Sequence, residues 1–69
     1  MIRIDARGMR CPWPAVRLAR ALRGGATCVE VIADDPQAST ELEAIAASAN
    51  ATIEIVLDEF IRTFVVTCR

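Results

Sequence analysis

Thr27-Cys28-Val29-Glu30-Val31-Ile32-Ala33-Asp34-Asp35-Pro36 is the stretch whose reading decides the fold. Its first seven residues are rich in β-branched types and they alternate. Val29 and Val31 point to one face, and Cys28, Glu30 and Ile32 to the other, so 27–33 reads as a strand. The alternation stops at Asp34-Asp35-Pro36, where an aspartate can cap a helix and a proline suits the first helical position. On the N-terminal side, residues 15–23 are strong helix formers. Leu18 and Leu22 make an apolar stripe beside Ala15 and Ala19, while Arg17, Arg20 and Arg23 recur on another face. Gly24-Gly25 stops that helix. Ahead of it, Ile2–Ala6 reads as a short strand and Gly8 as a turn.

On the C-terminal side, residues 36–49 are alanine-rich, with Leu42, Ile45 and Ala46 on one stripe of a second helix, and Asn50 suits a left-handed cap. A third strand spans 52–57, where Ile53, Ile55 and Leu57 alternate with Glu54, Val56 and Asp58. Asp58-Glu59 opens a tight connection without the glycine that hairpins favour. Residues 60–68 form the last strand, with Phe64 and Val66 as its core face. The order is β-α-β-α-β-β. Right-handed crossovers put both helices on one face of the sheet. The fold class expected is therefore α/β (α+β), a two-layer sandwich of a four-stranded mixed sheet and two helices, with 1–69 as a single domain. The other sheet face has no helical cover, so Ile32 or Val56 there could mark a contact surface.

Sixty-nine residues leave no room for a large enclosed active site, so any chemistry must rest on one or two accessible groups and a docking face. The composition, 54% hydrophobic and 25% charged, is that of a globular chain. No apolar run is long enough to span a bilayer and no signal-peptide pattern opens the chain, which points to the cytoplasm. Charge is distributed unevenly. Residues 1–23 carry six arginines against one acid, Asp5, whereas residues 24–69 carry two arginines against eight acids. A basic N-terminal half can steer an acidic partner.

Three cysteines, Cys11, Cys28 and Cys68, are too few and too widely spaced for a disulfide framework or a zinc site, and no histidine is present. A Cys–His nucleophile pair is therefore excluded, and a reactive thiolate would need backbone dipoles or arginine. Arg7-Gly8-Met9-Arg10-Cys11-Pro12-Trp13-Pro14 suits that chemistry. The reading places Cys11 at the N-cap of the first helix, Pro12 at N1 and Pro14 at N3. The helix N-terminus then lowers the thiol pKa, the N–H of Trp13 is the sole cap donor left for the sulfur, and Arg10 adds Coulombic support. The usual fate of a free cysteine is a small buried hydrophobe, but a cysteine set between an arginine and a proline at a helix start reads as a nucleophile.

Asp5-Ala6-Arg7-Gly8 followed by Cys11-Pro12-Trp13-Pro14 resembles the signature of the TusA/SirA-like sulfur-carrier family, a C-P-x-P at the start of the first helix. Ala33-Asp34-Asp35-Pro36 resembles that family's acidic-proline turn. The resemblance covers essentially the whole chain. It implies that Cys11 accepts sulfur from a cysteine desulfurase as a persulfide and passes it to an acceptor protein, for example for tRNA thiolation or molybdenum-cofactor maturation. This is a sulfurtransferase-type relay rather than small-molecule catalysis, with no cofactor and no metal. Gly8, Arg10, Pro12, Trp13 and Pro14 would support the cysteine, and Arg17 and Arg20 would dock the partner. Trp13 departs from the family pattern, whose variable position is often aliphatic, polar or charged. A docking anchor and a piece of local core are equally good readings of it.

The resemblance also implies a sheet order of 1-2-4-3 with the fourth strand antiparallel. That order puts Cys28 and Cys68 at the edge opposite Cys11, where neither can resolve a persulfide, so packing is the better reading for both. For Asp34 and Asp35, capping of the second helix is preferred over orienting the Cys11 loop through Arg7 or Arg10. Neither membrane association nor direct nucleic-acid binding is expected, and the chain should be a monomer or weak dimer. The alternative function is a non-enzymatic regulatory module that binds an acidic protein or RNA through its arginine face. A Cys11 thiol no more reactive than an unperturbed one would favour it.

Overall fold

A computed structural model describes all 69 residues, Met1–Arg69. The elements are β1 (Ile2–Asp5), α1 (Trp13–Arg23), β2 (Cys28–Ala33), α2 (Ala38–Ser48), β3 (Ala51–Asp58) and β4 (Ile61–Cys68). The sheet order is β1-β2-β4-β3. β1 runs parallel to β2, and β4 runs antiparallel to both β2 and β3. The β-α-β-α-β-β order and the mixed sheet are those the sequence implies.

Register builds the core in rows. Ile4, Val31, Phe64 and Ile55 are aligned across the four strands, as are Ile2, Val29, Val66 and Ile53. Ile4, Val29, Val31, Phe64 and Val66 of these rows are buried, together with Ala15 and Leu18 of α1 and Ala38, Leu42 and Ala46 of α2. The three α2 residues stand four apart, so they share one helix face. Phe64, Leu18 and Leu42 are wholly excluded from water, which contributes about 1.5–3 kcal/mol for each side chain.

The helix ends follow local chemistry. The Ala26 N–H donates to the Ala21 carbonyl (3.2 Å) and the Gly25 N–H to the Leu22 carbonyl (3.1 Å), a Schellman closure of α1. Gly25 makes this possible with φ of 99°. Nothing lies within 4 Å of where its Cβ would be, so only backbone conformation demands glycine. Gly25→Ala is expected to lower the unfolding free energy by about 1 kcal/mol, read from the urea midpoint. Asn50 takes the left-handed conformation after α2 (φ 56°), as its residue type suggests. Glu59 does the same in the β3–β4 turn, standing in for the absent glycine.

The β3–β4 hairpin departs from expectation. Ile55 and Leu57 lie on the helix side of the sheet, yet they are 48% and 67% exposed, and Phe60 at the tip is 98% exposed. β3 is an edge strand, and no helix covers its second half. Alternation fixes which face a side chain takes, but not whether a second layer reaches it. On the open face Val56 is exposed and Ile32 half-buried.

Candidate functional site

Because β1 and β2 are parallel neighbours, the loops that follow them emerge side by side at one sheet edge. The first loop carries Arg7–Pro12 and the second Asp34–Gln37. The second holds the first through carboxylates. Asp34 accepts the Gly8 N–H at 3.0 and 3.2 Å through its two oxygens. Asp35 accepts the Cys11 N–H at 2.7 Å on Oδ2 and the Gln37 N–H at 2.9 Å on Oδ1. Gly8 bends the loop with φ of 81°. Asp35 thus serves the start of α2 and the Cys11 loop together, and it reaches the loop through the Cys11 backbone N–H rather than through a hydrogen bond to an arginine. Those two N–H donors, Gln37 before Cys11, hold its carboxyl below the usual range, and the charge of Arg10 adds to them. Arg7 folds back on Asp5 in a two-point ion pair of 2.7 and 2.9 Å, and holds that carboxyl at a pKa of about 2.

The surroundings of the Cys11 thiol differ from those the sequence suggests. The N-cap of α1 is Pro12, Trp13 is the first helical residue and Pro14 the second, so Cys11 precedes the cap. The Trp13 N–H donates to the Arg10 carbonyl (2.9 Å) and not to sulfur. Cys11 Sγ instead donates to Glu41 Oε1 at 2.9 Å. That bond, then partial burial, then the charges of Glu41 and Asp35 push the thiol above its ordinary pKa. The lowering expected from the helix N-terminus and Arg10 is therefore reversed in direction. Arg10 is exposed and its charge is felt at Asp35.

Glu41 is the residue that reading outward from Cys11 misses, since it lies in the first turn of the other helix. The sequence did hold a signal for it. Glu41 stands next to the buried Leu42 and three residues after the buried Ala38, on the border of the α2 core stripe facing α1. Packing of α1 on α2 brings it to the sulfur.

Cys11 is half-exposed on the lip of an open cleft of about 670 Å³ formed by residues 8–11 and 34–37. A second concavity starts at Pro12 and Glu41 and runs between the helices past Val16, Arg20, Arg23 and Ile45. Pro14 is buried beneath the site and Trp13 is 59% exposed, free to meet another surface. Arg17 and Arg20 are exposed and form no ion pair, and the Arg17 guanidinium rests 4.0 Å from the Met9 sulfur. Cys28 and Cys68 lie on the central strands β2 and β4 at the opposite end of the strands from Cys11, where their sulfurs approach Thr67 and the Ala26 carbonyl. All three cysteines are free thiols. No helix is long and apolar enough to cross a membrane.

Among curated proteins no sequence matches the chain. Among solved structures, a SirA-like protein from Desulfitobacterium hafniense aligns with a TM-score of 0.87 and 28% identity, covering 97% of this chain and 96% of that one. The family profile described as Sulfurtransferase TusA matches residues 2–67, a span that takes in both helices, the Cys11 cleft and all of the sheet but the last residue of β4. By that match the chain belongs to the TusA sulfurtransferase family.

Proposed function

We propose that the protein is a cytoplasmic sulfur carrier in which Cys11 takes sulfur from a cysteine desulfurase as a persulfide and hands it to an acceptor protein, such as one that feeds tRNA thiolation or molybdenum-cofactor maturation. The observation that carries this reading is the placement of a free thiol on the lip of an open cleft in a chain of this family. A relay between proteins needs a sulfur that two different partners can reach in turn, not an enclosed pocket. Exposed Trp13 and the unpaired Arg17 and Arg20 on the same helix supply an apolar anchor and positive charge for an acidic partner.

The exchange follows thiolate displacement. The Cys11 thiol gives up its proton and its sulfur attacks the outer sulfur of the donor persulfide. The new Cys11 S–S bond forms as the donor S–S bond breaks, and its electron pair leaves on the donor thiolate, which takes up a proton. Attack by an acceptor thiolate on the outer sulfur of loaded Cys11 reverses the roles. The test is incubation with a cysteine desulfurase, cysteine and radiolabelled sulfur. Wild type is expected to acquire label and Cys11→Ser none; equal label in the two sinks the reading.

The arginine face favours a second reading, a regulatory module that binds an acidic protein or RNA. Slow alkylation of Cys11 does not separate the two readings, because the Glu41 bond pushes the thiol pKa up in either case. Label transfer does separate them.

A further inference from the structure

Glu41 bonds a hydrogen that Cys11 has only when it is empty. In the thiol state the S–H points at Oε1 from 2.9 Å, a contact that leaves the carboxylate charged and the sulfur neutral. Sulfur arrives by replacing that hydrogen. The inner sulfur of Cys11–S–SH has no proton to offer, so its lone pairs face those of the carboxylate. The outer sulfur lies about 2.05 Å further on. A persulfide is a stronger acid than a thiol, so this outer sulfur is an anion at neutral pH. The Cys11 sulfur that carries it lies 2.9 Å from Glu41 Oε1, and the charges of Glu41 on α2 and Asp35 in the turn both bear on that sulfur. Of the cations nearby, Arg10 of the same loop acts on Asp35, Arg7 is paired with Asp5, and Arg62 of β4 donates to the Asp35 carbonyl at 3.5 Å. α1 contributes Arg17, whose guanidinium rests on Met9, and the exposed Arg20.

Resting on the sulfur-carrier reading, we propose that Glu41 discriminates between the two states of Cys11, bonding the empty thiol and repelling the persulfide anion, so that the protein is biased toward giving its sulfur away. The balanced exchange is Cys11–SH + R–S–SH ⇌ Cys11–S–SH + R–SH, after which Cys11–S–SH releases its proton to water. Glu41 makes its bond on the left side and its repulsion on the right, and so shifts the equilibrium to the left. It changes no covalent bond itself. A carrier tuned this way takes sulfur only from a donor that holds it less tightly, and it discharges readily.

The experiment equilibrates wild type, Glu41→Gln, Glu41→Ala and Cys11→Ser with a fixed ratio of glutathione persulfide to glutathione, and reads the loaded-to-empty ratio by intact-mass spectrometry. Glutamine keeps the shape, removes the charge and offers an N–H to the anion, so the ratio is expected to rise about tenfold. Alanine should raise it in the same direction by less. On empty protein, the midpoint of iodoacetamide alkylation against pH should fall in both variants, which a purely structural role for Glu41 would not produce. An unchanged or lowered loaded-to-empty ratio in both variants, with loading still at Cys11, overturns the proposal even if the midpoint moves. If no variant takes up more sulfur than Cys11→Ser, the sulfur-carrier reading falls and the proposal with it.

Discussion

Phe64→Ala is expected to leave much of the chain unfolded at 25 °C. Phe64 sits mid-strand in β4 between Val31 and Ile55, is wholly buried, and is one of the largest core side chains. Truncating such a phenylalanine costs about 3–5 kcal/mol, from lost transfer energy and the cavity left behind. A domain of this length holds on the order of 3–10 kcal/mol in total. Urea titration followed by far-UV circular dichroism should show a midpoint cut by half or more, or no native baseline. Phe60→Ala is the matched control. The same residue type, 98% exposed at the hairpin tip, should shift stability by less than about 0.5 kcal/mol. Equal effects of the two substitutions would contradict the core described above.

Asp35→Ala is expected to reduce sulfur acceptance by Cys11 about a hundredfold in single turnover, on the sulfur-carrier reading, while the far-UV spectrum stays that of wild type. Asp35 accepts the Cys11 N–H with one oxygen and the Gln37 N–H with the other, so one side chain sets the reacting sulfur relative to α2 and to Glu41. Without it the loop keeps only the Asp34–Gly8 tie, three residues from the sulfur. Asp35→Asn retains one oxygen acceptor and should recover part of the rate. A rate for Asp35→Ala within twofold of wild type would mean that the loop holds its shape without the tie.

The element order was readable because each element carries its own period and its own stop, whereas the strand order in the sheet followed from the family resemblance. Alternating Val29 and Val31, the Leu18/Leu22 stripe, Gly24-Gly25 and Asn50 are local signals, and the chain obeys them. Boundaries drifted where two local rules compete. Pro36 suits a first helical turn, but Asp35 bonds the Gln37 N–H and delays α2 to Ala38. The place of Cys11 at the entry to the first helix was readable from its neighbours Pro12 and Pro14. The state of its thiol was not, because the deciding group lies 30 residues away and arrives through packing of the helices. A reading that asks which charged side chains border a core stripe, as well as which flank the cysteine, would have raised Glu41. The exposure of Ile55 and Leu57 was hidden for a related reason, since the length of an edge strand says nothing of how far the layer above it extends.

That uncovered half of β3 also bears on how copies of the protein tolerate one another. β3 is eight residues long and terminates the sheet, so its outer backbone N–H and C=O groups are unsatisfied by any strand, and Ile55, Val56 and Leu57 stand exposed along it. An edge of this length and greasiness invites another strand to add to it and begin a stack. Glu54 and Asp58 bracket the apolar run, and Glu59 sits at its end. Carboxylates in those places act as gatekeepers, so that crowded copies meet charge before they meet backbone.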